Sequence, residues 1–494
     1  MNILCIDAGT STIKAQIFDS SQAVSTVSIV PVDHCYNLKR GLIDSEAYLA
    51  SLDACFSQLF RGSEISTIDA VGLLSVGPTL VVFDGKNFQK SVRNYNYPRA
   101  QKGVNTISKM NIYPRRGVGL GSQYTPEQIT QLQLDGELPK NPFFTTFSSL
   151  LCHALGGDIR KWTYPEASYN GLINVETTTY CTNIFNTLKF KKQWFPKLTT
   201  GFVGNISDEV IKKYKLRKKQ IPIYNLATDG PSSQAYLGKN LSTFKVESTC
   251  AFRVMGKKPI FDKKPQIRNF PGIWNIYYKE PDGHSYFVSG STTNSGVNTL
   301  RHYFPNADTP LYEAMDRKLE TLLNKNIPTL EEVGVELPFE FGERDGIQRE
   351  SGIMGTKPKN KLLLYYTLKE GVMFNMMQRV LHVKNAQIQA GNSISSAYVP
   401  TGAITNSKPW IDMALIMLDL LAGITNPKFV YPQFREIGLA TIAKGVMLKM
   451  GKKDNITGKE VEYSLESLSF PLDAKRKKQI LRRWEAYKRY YDKG

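Results

Sequence analysis

The sequence predicts an α/β fold built in two halves, and three segments carry that prediction. Residues 3–19 (ILCIDAGTSTIKAQIFD) run from an apolar stretch into an Asp-Ala-Gly-Thr-Ser-Thr turn, after which Ile13, Ala15 and Ile17 alternate with polar residues. That pattern is a strand, a tight turn and a second strand. Residues 221–239 (IPIYNLATDGPSSQAYLGK) begin as an apolar strand that ends at Thr228-Asp229-Gly230. A helix of small residues follows, with Pro231 in its first turn, where a missing N–H costs nothing. Residues 244–256 (FKVESTCAFRVMG) repeat the strand, polar turn and strand about half a chain later, a sign of internal duplication.

Strand-like and helix-like stretches alternate through the rest of the chain, as an α/β architecture requires. The 494 residues suffice for two large domains. The division is expected near residues 238–243, giving domains 1–240 and 241–494. The chain closes on a helix over 474–491, which Asp473 is placed to cap. Ile480, Trp484, Tyr487 and Tyr491 fall on one face at spacings of four, three and four. Lys475, Arg476, Lys477, Lys478, Arg482, Arg483, Lys488 and Arg489 are assigned to the other. This reads as a helix docked on its own domain.

Composition excludes several classes. The start of the chain has no basic and apolar leader pattern. The longest apolar stretch, Met413–Gly423, is interrupted by Asp419 and is too short to span a bilayer. Six scattered cysteines without a CxxC pair read as reduced thiols, so a cytoplasmic location is expected. Five histidines show no HxxxH or HExxH spacing, which argues against a structural zinc site. The net charge of +19 would attract anions, but composition alone does not locate a site. Nucleic acid is disfavoured as a partner, because the sequence shows no aromatic-and-basic interleaving of the kind a single-strand binder uses.

The turn Asp7-Ala8-Gly9-Thr10-Ser11-Thr12-Ile13-Lys14 carries the chemistry of a phosphate site. Gly9 lets the backbone approach a ligand, and consecutive N–H groups in such a turn form an anion-binding concavity. Lys14 adds charge, and Asp7 at the strand end can hold Mg²⁺ directly or through water.

This turn resembles the first phosphate loop of the FGGY family of carbohydrate kinases, within the actin/hexokinase/Hsp70-type ATPases. The resemblance continues in order along the chain. Ala227-Thr228-Asp229-Gly230 is similar to the family's catalytic Asp segment. Glu247-Ser248-Thr249-Cys250 is similar to the second phosphate loop, and Ser289–Gly296 to a Gly-rich, Asn-containing turn before a helix. Leu337-Pro338-Phe339 with Gly342-Glu343-Arg344, then Glu370-Gly371-Val372, then Thr401-Gly402-Ala403 with Trp410, resemble further family stretches. The resemblance implies two RNase-H-like (actin-like ATPase) domains flanking a central cleft. It also implies transfer of the ATP γ-phosphoryl group to a hydroxyl of a sugar, ketose, polyol or sugar acid.

In that reading Asp229 is the general base and Asp7 organises Mg²⁺. Gly9, Thr10, Ser11, Thr12 and Lys14 hold phosphates from one side, and Ser248, Thr249 and Gly296 from the other. Gly402 and Asn406 line the adenosine pocket, while Pro78, Thr79, Arg99 and Thr228 join Asp229 around the acceptor. Partners are ATP/ADP and a small carbohydrate, with no membrane; family members often form homodimers.

Four positions depart from the family pattern. Val76 stands where a Gln is expected, and Tyr97 replaces the Asp of a Trp-x-Asp-x-Arg stretch read here as Tyr95–Arg99. Glu247 and Thr401 stand where the phosphate loop and the adenosine turn carry Gly. A site that reads hydroxyls loses much when its polar partners go. These changes leave open a catalytically weakened homologue that acts as a sugar or nucleotide sensor. Arg115-Arg116-Gly117-Val118-Gly119-Leu120-Gly121-Ser122 imitates a phosphate loop but lacks its Lys-Ser/Thr ending, so it reads as a flexible loop in the first domain. Its arginines and Arg99 are candidates for meeting an anionic substrate.

Overall fold

A computed structural model describes the chain except residues 20–22, 38, 62–66, 96, 111–112, 238–240, 262–271, 341–348, 434–436, 453–458 and 492–494. The side chains of Asp229 and of residues 113, 114, 237, 431–433, 437, 459 and 460 also lie outside the described set. The Gly342-Glu343-Arg344 stretch falls among the undescribed residues.

The first apolar run is buried on both faces. In β1 (Ile3–Ala8), Leu4 and Ile6 join a core with Tyr48 and Leu52 of helix Ser45–Arg61. Ile3 and Cys5 join a second core with Leu439, Ile442 and Val446 of helix Ile437–Lys449. A strand covered on both sides needs continuous rather than alternating apolar residues. Around it lie β2 (Thr12–Phe18), β3 (Ser28–Pro31), β4 (Ala70–Ser75), β5 (Phe202–Asn205) and β6 (Pro222–Thr228), in the order β5-β6-β4-β1-β2-β3. β1, β2 and β3 pair antiparallel, whereas β4 runs parallel to both β1 and β6.

The second sheet is built from β7 (Ser242–Val246), β8 (Cys250–Gly256), β9 (Trp274–Lys279), β10 (Ser285–Thr293), β11 (Ala397–Gly402), β12 (Lys428–Gln433) and β13 (Lys459–Tyr463). Its order is β9-β10-β8-β7-β11-β12-β13. Each half thus contains an antiparallel hairpin, a third antiparallel strand beyond it, and two parallel strands on the other side of the first. This is the RNase-H-like order, present twice, and it accounts for the repeated sequence layout.

The register brings the candidate site segments together. Ala8 pairs with both Ile13 and Ser75, and Thr228 pairs with Ser75, so three strand ends stand abreast at one edge. In the second sheet Val246 pairs with Cys250 and Gly402, and Cys250 with Thr293. Ligands of open α/β sheets bind in the crevice outside such strand ends. The halves are also stapled together. Helix Ile437–Lys449, from the second half, packs on β1, β4 and β6. The buried Lys449 at its end pairs at 2.7 Å with Glu280 of its own half.

All six cysteines are buried and free. Among the described residues no helix is long and apolar enough to cross a membrane. The last helix spans Ala474–Tyr491, and Asp473 caps it by accepting the Arg476 N–H at 2.8 Å. Ile480, Trp484 and Tyr487 are buried as expected, but so are Arg476 and Arg483, which the sequence reading assigned to the exposed face. Arg476 donates to the carbonyls of Pro471 and Asn324. Arg483 forks onto Glu370 of the Glu-Gly-Val stretch, with contacts of 2.6 to 2.9 Å. These cations are docking groups.

Candidate active site

The first loop is braced from below. The Gly9 N–H donates to the Thr12 carbonyl at 3.0 Å and closes the turn. The Gly9 carbonyl in turn accepts the hydroxyls of Tyr36 and Tyr48, at 3.2 and 2.8 Å. Burial pushes the Tyr48 phenol well up, so it remains a donor. The Ser11 carbonyl accepts the Val32 N–H. Asp7 and Lys14 stand opposite each other in the hairpin register. The start of helix Ile437–Lys449 closes on the Asp7 carboxylate, 3.4 Å from where a Cβ on Gly438 would sit.

The second loop accommodates its unusual glutamate by pairing it. The Glu247 carboxylate meets Lys245 at 2.7 Å, and Lys245 lies opposite Thr401 in the register. The Glu247 carbonyl accepts the N–H of Val297, which ties the loop to the start of helix Val297–Tyr303. Gly296 packs against the same backbone. Gly402 has φ +82°, and a Cβ there would lie 2.3 Å from Glu247 Cγ. Only glycine meets both demands.

Asp229 opens the helix Asp229–Leu237 directly after β6. The strand is irregular just before it. Its register shifts between Asn225 and Thr228, and Ala227 adopts a left-handed φ of +73°. The Asn225 side chain supports this bend by accepting the Ala227 N–H at 2.9 Å. A buried non-glycine residue in that region costs about 1–2 kcal/mol and persists only where its surroundings fix it. Gly77 packs so closely on this bend that an added Cβ would lie 2.3 Å from Thr228 Cγ2.

These segments surround one cavity of about 520 Å³. The first half contributes Thr10, Val76, Pro78 and Gly230, and the second contributes Ser248 and Thr249. Its size is ordinary for a small-molecule site. Tyr95, Tyr124, Tyr169 and Trp274 give it aromatic walls, and Gln123, Lys245, Arg253 and Asn294 give it polar ones. Arg253 is only 6% exposed, and its guanidinium lies against Gly230, beside the proposed base. Sequence reading missed Gln123, Tyr124, Tyr169, Lys245, Arg253 and Trp274. The one available signal was Arg253, a charge within an otherwise apolar strand.

Other expected residues sit elsewhere. Thr79 is buried, and its hydroxyl accepts the Phe147 N–H at 2.9 Å, so it supports the frame and does not line the cavity. Arg99 lines a separate pocket with Arg40 and Arg93. Arg116 is fully buried against Glu127, and Arg115 lies at the surface beside Glu176, so neither reaches the cavity. Leu120 of that loop does line it. Asn406 is exposed, while Trp410 is buried in the core beneath the Lys369 ammonium. Gly9, Ser11, Thr12, Lys14 and Gly296 flank the lining rather than form it.

A family model for the N-terminal domain of the FGGY family of carbohydrate kinases matches residues 2–235. Over that stretch, a little under half of its length, the chain is similar to the FGGY family. Three solved structures illustrate how far the likeness extends. Gluconate kinase from Lactobacillus acidophilus superposes with a TM-score of 0.79 at 16% identity, covering 99% of this chain and 97% of that one. Xylulose kinase from Rhodospirillum rubrum gives 0.78 at 14%, covering 100% and 99%. Plasmodium falciparum glycerol kinase with ADP gives 0.75 at 16%, covering 99% and 98%. At these identities the superpositions speak for the fold, two actin-like domains around a cleft. No curated protein matches the chain in sequence.

Proposed function

We propose that this protein is an ATP-dependent carbohydrate kinase of the FGGY family, with Asp229 as general base. The observation that carries the reading is a single cavity bordered by Thr10 of the first loop, Ser248 and Thr249 of the second, and Gly230 beside Asp229. Phosphoryl transfer needs positioning, charge neutralisation and a group to take the acceptor proton, not a covalent protein nucleophile. The loop around Gly9–Thr12, with Lys14, would hold phosphate oxygens from one half. Ser248 and Thr249 would hold them from the other, with nucleotide bound toward Gly402. Asp229 would take the proton of the attacking hydroxyl. Closure of the two halves would exclude competing water. The division into an acceptor-side domain, 1–240, and a nucleotide-side domain, 241–494, belongs to the same reading.

Mg²⁺ fits the residues present. It binds through one or two carboxylates, with phosphates and water completing the octahedron. Asp7, at the strand end under the first loop, supplies one such carboxylate. Bound there, the ion would neutralise phosphate charge.

Among acceptors, a sugar acid suits the cavity best. Val76 offers no hydrogen bond where the family pattern has Gln, whereas Arg253 brings a buried cation to the acceptor side. Guanidinium matches a carboxylate in a bidentate fork. The test is ADP release across aldonates, ketoses and polyols. Turnover is expected on an aldonate, abolished in Asp229→Asn with ADP affinity retained. No turnover on any acceptor, or full turnover in Asp229→Asn, would refute kinase action by Asp229. Equal turnover on uncharged polyols would refute only the sugar-acid assignment. The sensor alternative predicts ligand binding with no turnover at all.

A further inference from the structure

The Arg99 side chain leads to a second site. A pocket of about 190 Å³, apart from the main cavity, is lined by Arg40, Arg93, Arg99, Gln89, Ser91 and Tyr97, with Leu42. No carboxylate is among these residues. Arg93 is 9% exposed, and its guanidinium lies over the Tyr97 ring at 4.9 Å. Its Nη1 is buried and meets no acceptor. Burial pulls the Arg93 pKa down, although Tyr97 and the exposed Glu137 favour its charge.

The backbone holds this arginine in place. Arg93 exchanges two hydrogen bonds with Leu80, at 2.8 and 3.0 Å, and lies opposite Leu42 in a three-residue strand pairing. Asn94 donates to the Gly41 carbonyl and Tyr97 to that of Asn94, so the turn brings Tyr97 and Arg99 round to the same pocket as Arg40. A fixed, desolvated cation with an idle donor is costly unless an anion completes it.

We propose that this pocket binds a phosphate group, either free or as the head of a small phosphorylated metabolite. Three arginines line it, and the planar fork of a guanidinium matches phosphate oxygens. The volume is below the ~300–1,000 Å³ of pockets that enclose drug-sized ligands, which suits a small ion or a headgroup. Arg40 and Arg99 are exposed and complete the site from its mouth. The site is independent of the kinase reading.

The experiment is calorimetric titration of the full chain at low ionic strength with inorganic phosphate and, separately, with glycerol 3-phosphate. Wild type is expected to bind at least one of them, more weakly as salt rises. The double variant Arg40→Ser/Arg99→Ser, whose exposed positions spare the core, is expected to lose about tenfold or more in affinity. Arg93→Gln is expected to show the same loss, with its thermal midpoint checking the fold. ADP titration reports separately on the main cavity and is expected to be unchanged. Tighter binding of glycerol 3-phosphate would assign a metabolite headgroup, and equal binding would assign free phosphate. Absence of binding to wild type, or equal affinity in the double variant, overturns the proposal.

Discussion

Gly77→Ala should damage both stability and turnover, and Thr228→Ser should repair both. The new methyl would lie 2.3 Å from Thr228 Cγ2, but 3.4 Å from Thr228 Cβ and 3.5 Å from Tyr169 Cδ1. Only the first contact is impossible, and relieving it to 3.4 Å requires a displacement of about 1 Å. Overpacking of this kind costs about 1–3 kcal/mol. The part that gives is the bend before Asp229, and a 1 Å misplacement of catalytic geometry costs about 100-fold in rate. Thr228→Ser deletes Cγ2, keeps the hydroxyl and alone costs about 1 kcal/mol for one buried methyl. The double variant should therefore approach the serine single variant, with a coupling of at least about 1 kcal/mol. Denaturant unfolding and kcat of all four members of the cycle measure this. If Gly77→Ala matches wild type, or Thr228→Ser fails to rescue it, the close packing of Gly77 on the bend before Asp229 is not what positions the proposed base.

Three further outcomes follow from particular contacts. Glu247→Gln removes the carboxylate paired with Lys245 in the cavity wall. KM for ATP should fall several-fold at low salt and less at high salt; an unchanged KM in both would count against the phosphate assignment of this loop. Arg483→Met leaves Glu370 buried without its fork and should destabilise the chain by about 3–5 kcal/mol in denaturant unfolding. Glu336 is buried beside Glu340 and Tyr303, and desolvation first, then Glu340, push its pKa up to about 10. A raised folded-state value means a stabilising contribution that is complete below the ordinary value of 4.5 and is lost as pH rises toward 10. Glu336→Gln should therefore flatten the decline of the thermal midpoint between pH 5 and 9, and an equal slope in both proteins would contradict it.

The parts legible in the sequence were those that are local in the chain. A strand, a hydroxyl-rich turn and a strand can be read from about fifteen residues, and so can an Asp at the junction of strand and helix. The cavity walls were not legible, because Gln123, Tyr124, Tyr169 and Trp274 come from segments that only the tertiary fold assembles. Periodicity placed Arg476 and Arg483 in solvent because it assigns polarity to water by default. It cannot see Glu370, 113 residues away, waiting as a partner. Arg99 was assigned to the acceptor site as the Arg of a Trp-x-Asp-x-Arg-like stretch; the first residue of that stretch, Tyr95, does line the cavity, yet Tyr97 and Arg99 line another pocket. Glu247 departs from the Gly of the family's phosphate loop, and its carboxylate is held by Lys245, two residues earlier.

The net charge of +19 acquires meaning only when its buried members are separated by partner. Four cations withdrawn from water each meet a carboxylate: Arg116 with Glu127, Lys369 with Asp316, Lys449 with Glu280 and Arg483 with Glu370. Those pairs close within the fold, so they argue for structure and say nothing about ligands. Arg93 differs in kind, because its pocket holds two further guanidinium groups and no carboxylate. The simplest partner for such a pocket is an anion that arrives from solution. The surplus of basic residues then matters less for its total than for places such as this pocket, where the described lining leaves the complementary charge to something else.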